Sequence, residues 1–247
     1  MKKTKTRQRI RKGVLLLFFI LFPVVLNYLS PYLSMSAASK GIASGSLLFF
    51  GLLLLSSLIL GRAFCGWICP GGAAQEICLL VNDRRVRCKR LDWIKYVIWV
   101  PWLATILLFL IRSGGAPRAE PLYNMNTIVS VDSAPQYIIY YFVLGLIMIP
   151  AVAVGRRAMC HSICWMAPFM IFGRKLRNLV RWPALRLKAS TEKCVSCDTC
   201  TKNCPMSLEV QNMVEKAKME SAECILCGQC VDNCPHGVIR YSFSRGV

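Results

Sequence analysis

The chain has 247 residues, of which 55% are hydrophobic and only 17% charged, against about 25% charged in an average soluble domain. Mean hydropathy is +0.46, and 31 Lys and Arg stand against 12 Asp and Glu, a formal net charge of +19. These figures exclude a disordered chain, and because the bases flank apolar runs they favour a membrane over nucleic acid as the basic surface's partner.

Four apolar stretches match the roughly 17–25 residues that a membrane crossing needs. They run from about Val14 to Ser30, Ala43 to Leu60, Trp93 to Ile111 and Gln136 to Val154. Pro23, Pro101 and Pro150 fall inside three of them, which transmembrane helices tolerate. A signal peptide fits residues 1–30 poorly, since no small-residue cleavage site closes the run and further spans follow. Between the spans, residues 1–13, 61–95 and 156–193 hold 23 of the 31 bases. The positive-inside rule makes those alternate segments cytoplasmic. The expectation is a multi-pass protein of a bacterial or archaeal cytoplasmic membrane with both termini inside. The basic segments are read as topology signals in contact with anionic membrane lipid, and Lys95, near a span end, as a snorkelling side chain.

After the fourth stretch, Phe172, Leu176, Leu179 and Val180 recur at helical spacing, with Arg174, Lys175, Arg177 and Arg181 on the other face. This pattern predicts an interfacial helix on the inner leaflet. The expected organisation is a membrane domain over 1–168, a linker helix over 169–189 and a cytoplasmic domain over 190–247.

Fourteen cysteines carry the chemistry. The tail holds CVSCDTCTKNCP and CILCGQCVDNCP, each C-x2-C-x2-C-x3-C-P. In this bacterial ferredoxin spacing the fourth Cys ligates the other cluster: three closely spaced thiolates curl round one iron–sulfide cube, and the fourth reaches its neighbour. The expected sets are Cys194, Cys197, Cys200 and Cys234 for one [4Fe–4S] cluster, and Cys224, Cys227, Cys230 and Cys204 for the second. Disulfides are excluded by the reducing compartment, and zinc by a pattern that is not paired C-x2-C.

Two further pairs, Cys65 with Cys69 in GRAFCGWICPGG and Cys160 with Cys164 in GRRAMCHSICWMAP, have C-x3-C spacing after a Gly-Arg. On a helix this spacing puts both thiols on one face. The chain thus reads as a two-span repeat whose Cys pairs share one side of the membrane. Those four cysteines have the donors for a third cluster or a redox-active dithiol; small buried hydrophobes at helix ends are the plain alternative. Cys78 and Cys88 match no spacing and are given no role. With two histidines, His161 and His236, both outside the spans, and no C-x-x-C-H, no haem is indicated. No G-x-G-x-x-G follows a strand-like run, so no flavin is indicated. His161 is read as an interfacial polar residue and His236 as packing beside a cluster.

The GRAFCGWICPGG segment, the second C-x3-C and the paired ferredoxin runs resemble NapH-type membrane iron–sulfur proteins over nearly the whole chain. One departure is visible: Pro70 follows Cys69, whereas Trp165 follows Cys164 and the next proline is Pro168. The resemblance implies a quinol dehydrogenase-like electron-transfer subunit working between a quinone pool and partner redox subunits or a soluble carrier. The fold expected is therefore an α-helical membrane protein, four transmembrane helices in a two-hairpin repeat, with a C-terminal 2[4Fe–4S] ferredoxin-like α+β domain. The function expected is electron relay; the alternative is redox sensing or assembly of a metal centre such as a copper site.

Overall fold

A computed structural model describes residues 2–86, 91–115, 118–123 and 129–245; Cys88 lies outside them. The chain opens with helix α1 (Lys2–Ile20), α2 (Phe22–Val25) and a 3-10 turn at Leu26–Leu29. The first apolar stretch is bent by 60° between Thr6–Ile20 and Phe22–Leu29. Pro23 accounts for the break, because it has no N–H to give and its ring crowds the preceding turn. Helix α3 (Pro31–Ala38) follows, then strand β1 (Ile42–Ser44) and α4 (Gly45–Leu60). Ser30 and Ser44 cap α3 and α4, accepting from Leu33 N and Leu47 N at 3.4 Å each, which satisfies donors that a helix start leaves orphaned.

Two short helices come next, α5 (Ala63–Trp67) and α6 (Pro70–Cys78). The second half repeats this plan with α7 (Leu91–Arg112), strand β2 (Arg118–Glu120), α8 (Ala134–Ala153), α9 (Ala158–Ser162) and α10 (Ala167–Leu179). Strands β1 and β2 pair in parallel, Ile42 opposite Arg118, and tie the two inter-span loops together. Helices α7 and α8, of 22 and 20 residues, are long and apolar enough to cross a membrane. At 16 residues α4 spans about 24 Å, short of the ~30 Å hydrocarbon layer.

The repeat is visible in the packing. Each short second helix lies on the other half's span, α6 on α8 and α10 on α4, while α1 meets α5 and α6, and α7 meets α9 and α10. The α4–α10 crossing is close because Gly173 has no side chain; a Cβ there would strike Ser57 Oγ and stand 2.8 Å from Leu54 O. Small residues serve membrane helices in this way.

The tail comprises strand β3 (Ala184–Ala189), α11 (Thr199–Lys202), α12 (Val210–Glu215), α13 (Gln229–Asp232) and strand β4 (Ile239–Ser244). β3 pairs antiparallel with β4, Ala184 opposite Ser244 and Ala189 opposite Ile239. Residues 184–189 are therefore the first strand of the tail rather than the end of a linker helix, and the helix stops at Leu179. Ala184, Arg186 and Leu187 are buried and Lys188 exposed, and pairing with β4 lays the segment on the tail's core as a strand.

Helix α10 keeps Phe172, Leu176, Leu179 and Val180 exposed, but Arg174 and Arg177 are buried. They turn inward to Glu220 of the tail, Arg174 Nε at 2.6 Å and Arg177 Nη2 at 3.7 Å, joined by Arg186 Nη1 at 3.4 Å. These two arginines hold the tail instead of facing water, while Lys175 and Arg181 stay exposed. Lys95 likewise does not snorkel. It is fully buried, with Nζ 2.6 Å from Glu223 Oε1.

Burial alone would raise the Glu220 carboxyl, yet Arg174, Asn178 and Arg177 hold it down to about 2. A carboxyl depressed in the folded state contributes stability that is present above its ordinary value of 4.5 and fades as pH falls towards 2. Glu220→Gln is expected to lower stability by about 2 kcal/mol or more, below the ~3–5 kcal/mol of a fully buried pair because the carboxylate is partly exposed. Thermal unfolding in detergent should show the deficit at pH 7 and a smaller one near pH 3; equal deficits at both would refute this account.

Candidate iron–sulfur sites

The Cys65 and Cys160 segments are built alike. Cys65 lies in α5 and Cys160 in α9, and each short helix then breaks. Cys69 N and Ile68 N both bond to Phe64 O at 3.0 Å, and Cys164 N and Ile163 N bond to Met159 O at 3.1 and 3.0 Å. The two cysteines of a pair thus do not ride one continuous helical face. The chain turns out at Ile68, and Cys69 takes extended backbone, φ −61° and ψ 118°. Pro70 then starts α6, while Pro168 takes the second position of α10. Trp165, standing where the first pair has its proline, donates to Leu29 O at 2.9 Å.

All four of these thiols are buried and face one another. Burial, then Cys65, Cys160 and Cys164, push the Cys69 thiol up, and burial with Cys160 and Cys65 pushes Cys164 up to about 12. Burial also raises Cys65, opposed by Arg62. A metal binding here would have to displace thiol protons, since cysteine ligates as the thiolate. Among the described residues no three cysteine sulfurs come within 4.8 Å of one another.

Around the quartet lie side chains that the motif alone does not reveal. Gln75, fully buried, donates to Cys160 Sγ at 3.1 Å and accepts from Met159 N at 3.1 Å. Cys65 Sγ contacts Met170 Sδ at 3.9 Å. Arg62 and Arg157 each precede their Cys by three residues, and both are fully buried. Arg62 reaches Glu223 at 2.7 Å and Ala222 O at 3.0 Å. Arg157 reaches Cys65 O at 2.8 Å and Glu76 at 2.5 Å. Glu76 also takes both Nη atoms of Arg11, at 2.6 and 2.8 Å. Arg62 Nε and Nη2 and Arg157 Nε are buried without a hydrogen-bond acceptor. Unanswered guanidinium N–H groups beside thiols fit an anionic centre whose sulfurs accept them. The sequence signal for this pair is an Arg-Ala-x-Cys repeat, Arg62 to Cys65 and Arg157 to Cys160.

His161 is buried, its Nδ1 2.8 Å from Asp92 Oδ1. Asp92, His161 and Glu223 bring their ligand atoms within 4.8 Å. Lys95 and Arg62 already pair with Glu223, so the cluster is an ion-pair network. His236 is exposed rather than packed. Cys78 is buried, its thiol 4.0 Å from Met148 O, and does not join the quartet.

In the tail the two runs share one backbone form. Ser196 and Leu226, then Asp198 and Gly228, take positive φ of 52°, 50°, 58° and 77° at matching positions. Left-handed non-glycine residues persist where the surroundings over-determine them, and alternating handedness turns N–H groups inward to make an anion nest. Helices α11 and α13 pack on each other and carry Cys200 and Cys230. The Cys204 thiol is pushed up to about 12 by burial and by Cys227 and Cys224, so it stands with the second run. Cys200 is raised by burial, with Cys234 also beside it. Cys197 is exposed and is lowered by the Thr199 hydroxyl and N–H.

Residues 43–86 match a family model described as a 4Fe-4S binding domain, and residues 193–239 one described as a 4Fe-4S dicluster domain. An uncharacterized Methanocaldococcus jannaschii protein is 24% identical over 85% of this chain and 78% of its own. The Escherichia coli protein YccM, named for electron transport, is 21% identical over 68% of this chain and 48% of its own. The methylamine utilization ferredoxin-type protein MauN of Methylorubrum extorquens is 27% identical over 73% of this chain and 61% of its own. No solved structure matches. The chain therefore carries ferredoxin-type 4Fe–4S binding domains and has distant relatives among electron-transport and ferredoxin-type proteins.

Iron-free chain should show the contrast between its thiols directly. Cys197 is expected to react with iodoacetamide at pH 8 at least about tenfold faster than Cys164 or Cys69, since only the thiolate attacks. Site-resolved mass spectrometry over time measures this, and equal rates would contradict the closed quartet.

Proposed function

We propose that this protein is a membrane-bound electron relay of the NapH type, passing electrons between a quinone-class couple or membrane partner and a redox partner on the cytoplasmic side. The carrying observation is the placement of the buried Cys65, Cys69, Cys160 and Cys164 quartet. It lies in the short segments that follow α4 and α8, against the tail loop at Ile225 and Leu226, with unanswered Arg62 and Arg157 N–H groups beside it. In this reading the four apolar stretches are the spans, both termini are cytoplasmic, and the exposed apolar side of α10 lies in the inner leaflet. Cys194, Cys197, Cys200 and Cys234 hold one cluster, and Cys204, Cys224, Cys227 and Cys230 the second. The quartet holds a third.

When bound, such clusters accept and release single electrons without making or breaking substrate bonds. The chain's own residues do the rest. Gln75 fixes the Cys160 sulfur, Arg62 and Arg157 neutralise negative charge at the quartet, and the apolar wall excludes water. Met206, Ile225 and Leu226 do the same in the tail, all nearly fully buried. An open apolar groove of about 720 Å³, lined by Leu52, Ser56, Phe64, Trp67, Leu226 and Tyr241, leads from the exposed side of α4 to the Cys65 loop. It suits an isoprenoid quinone arriving from lipid.

The second reading, metal-centre assembly, is favoured by one contact, the Cys65–Met170 sulfur pair, since thiolate with thioether selects cuprous copper. Iron and acid-labile sulfide in anaerobically purified chain decide between them. The relay predicts about twelve irons per chain, three four-iron centres, falling to about eight in Cys65→Ser with Cys160→Ser. About eight in both proteins, with stoichiometric cuprous binding lost in the double variant, would establish the assembly reading instead.

A further inference from the structure

The two runs of the tail are not equivalent in the fold. The loop 225–228 of the second run is stitched to the Cys65–Cys69 segment by hydrogen bonds that touch no thiol. Trp67 Nε1 donates to Leu226 O at 3.0 Å, and Gln8 Nε2 to Cys227 O at 3.1 Å. Arg11 Nη1 closes the set on Gly66 O at 3.0 Å. The two backbones touch at Gly66, where a Cβ would strike Ile225 O and stand 3.4 Å from Cys227 N. Cys204, the one cysteine of the first run grouped with the second, is held on the same side by Arg156 Nη1, 3.3 Å from its carbonyl. Arg174 holds Cys224 O at 3.0 Å.

The remaining four make no such contacts among the described residues. Cys197 is exposed, Cys194 and Cys234 are half-buried, Cys200 is buried, and Val195 beside them is 59% exposed. Buried arginines line both sides of the joint: Arg62 bonds Ala222 O of the tail, and Arg11 bonds Gly66 O. Arg157, fully buried, bonds Cys65 O and Glu76, and its charge acts on Cys160 in the quartet and on Cys227 in the tail.

We propose that the tail works in a fixed order, with the Cys204, Cys224, Cys227 and Cys230 site inward against the quartet and the Cys194, Cys197, Cys200 and Cys234 site outward as the port for a soluble one-electron carrier, and that Arg157 is the positioning residue of the inner joint. This rests on the relay reading. Each transfer moves one electron from a reduced site to an oxidised one, with the quinone-class couple or membrane partner at one end and the soluble carrier at the other. A buried cation stabilises the more negative, reduced state of whatever it faces. Arg157 therefore raises the potential of the inner site and leaves the outer one, screened by distance and water, unchanged.

The test uses the full chain in detergent, reduced stepwise with dithionite and followed by electron paramagnetic resonance. Iron content comes first: about eight irons or fewer overturns the relay reading itself, whereas about twelve leaves only the order at issue. Cys197→Ser identifies the outer signal by altering it. In the unaltered chain, a soluble chelated dysprosium relaxant should act on the outer signal and spare the inner. In Arg157→Gln the quartet and inner midpoints should move to lower potential with the outer unmoved, the quartet signal being the one that Cys65→Ser with Cys160→Ser removes, and Arg157→Lys should restore most of the shift. Relaxation of the inner signal, equal movement of the inner and outer midpoints, movement of the outer alone or movement of neither would overturn the proposal. Should Arg157→Gln lose iron, the relaxant measurement on the unaltered chain decides the order alone.

Discussion

Too few carboxylates serve too many buried guanidiniums, and the structure is arranged around that imbalance. Glu76 is shared by Arg11 and Arg157, Glu223 by Arg62 and Lys95, and Glu220 by Arg174, Arg177 and Arg186. Breaking a buried pair by removing one partner is costly, and an uncompensated buried cation is costlier still. Yet Arg177 is pulled down to about 10, by burial and by Arg174, which marks a surplus of positive charge in that spot. The surplus lies beside the thiol sets, at Cys65, Cys160, Cys224 and Cys227. An iron–sulfide core held by four thiolates is an anion, and in the proposed relay it supplies the opposite sign that these arginines lack. The same arginines then balance charge and dock the tail.

That explains why the basic residues were misread from sequence in one respect. Counting bases between apolar stretches treats every Arg as a signal to the membrane, and for Lys12 or Arg84 nothing in the fold says otherwise. It cannot distinguish them from Arg11, Arg62, Arg157 and Arg174, which are buried, because the pairing carboxylates lie up to 161 residues away in the chain. Lys95 shows the same limit. A lysine near a helix end snorkels unless a carboxylate meets it from elsewhere, and Glu223 does.

The cysteine spacings were legible because local reach dictates them. C-x2-C-x2-C can gather three thiols within a short curl, and the left-handed Ser196 and Leu226 lie in that curl. The C-x3-C pairs were legible as a repeat but not as geometry. Helical spacing suggested one face, while the bonds of Cys69 N and Cys164 N, five residues back, end the helix between the thiols. Strand β3 was hidden for a related reason. Apolar residues in 169–187 continue a helical period past Leu179, and only the partner strand, more than 50 residues on, makes 184–189 extended.

The repeat itself is broken by the tail, and that asymmetry bears on function. Arg62 and Arg157 occupy equivalent places, three residues before the first Cys of each pair. A strictly symmetric membrane domain would give both the same partner type within that domain. Instead Arg157 takes Glu76, inside the first half, while Arg62 takes Glu223, one residue before Cys224. The two halves therefore need the tail in one orientation only, since the 180° alternative would set Arg157 towards Glu223 and leave Glu76 to Arg11 alone. A single docking orientation fixes which thiol set of the tail faces the quartet, and a relay between fixed sites requires that uniqueness more than it requires affinity.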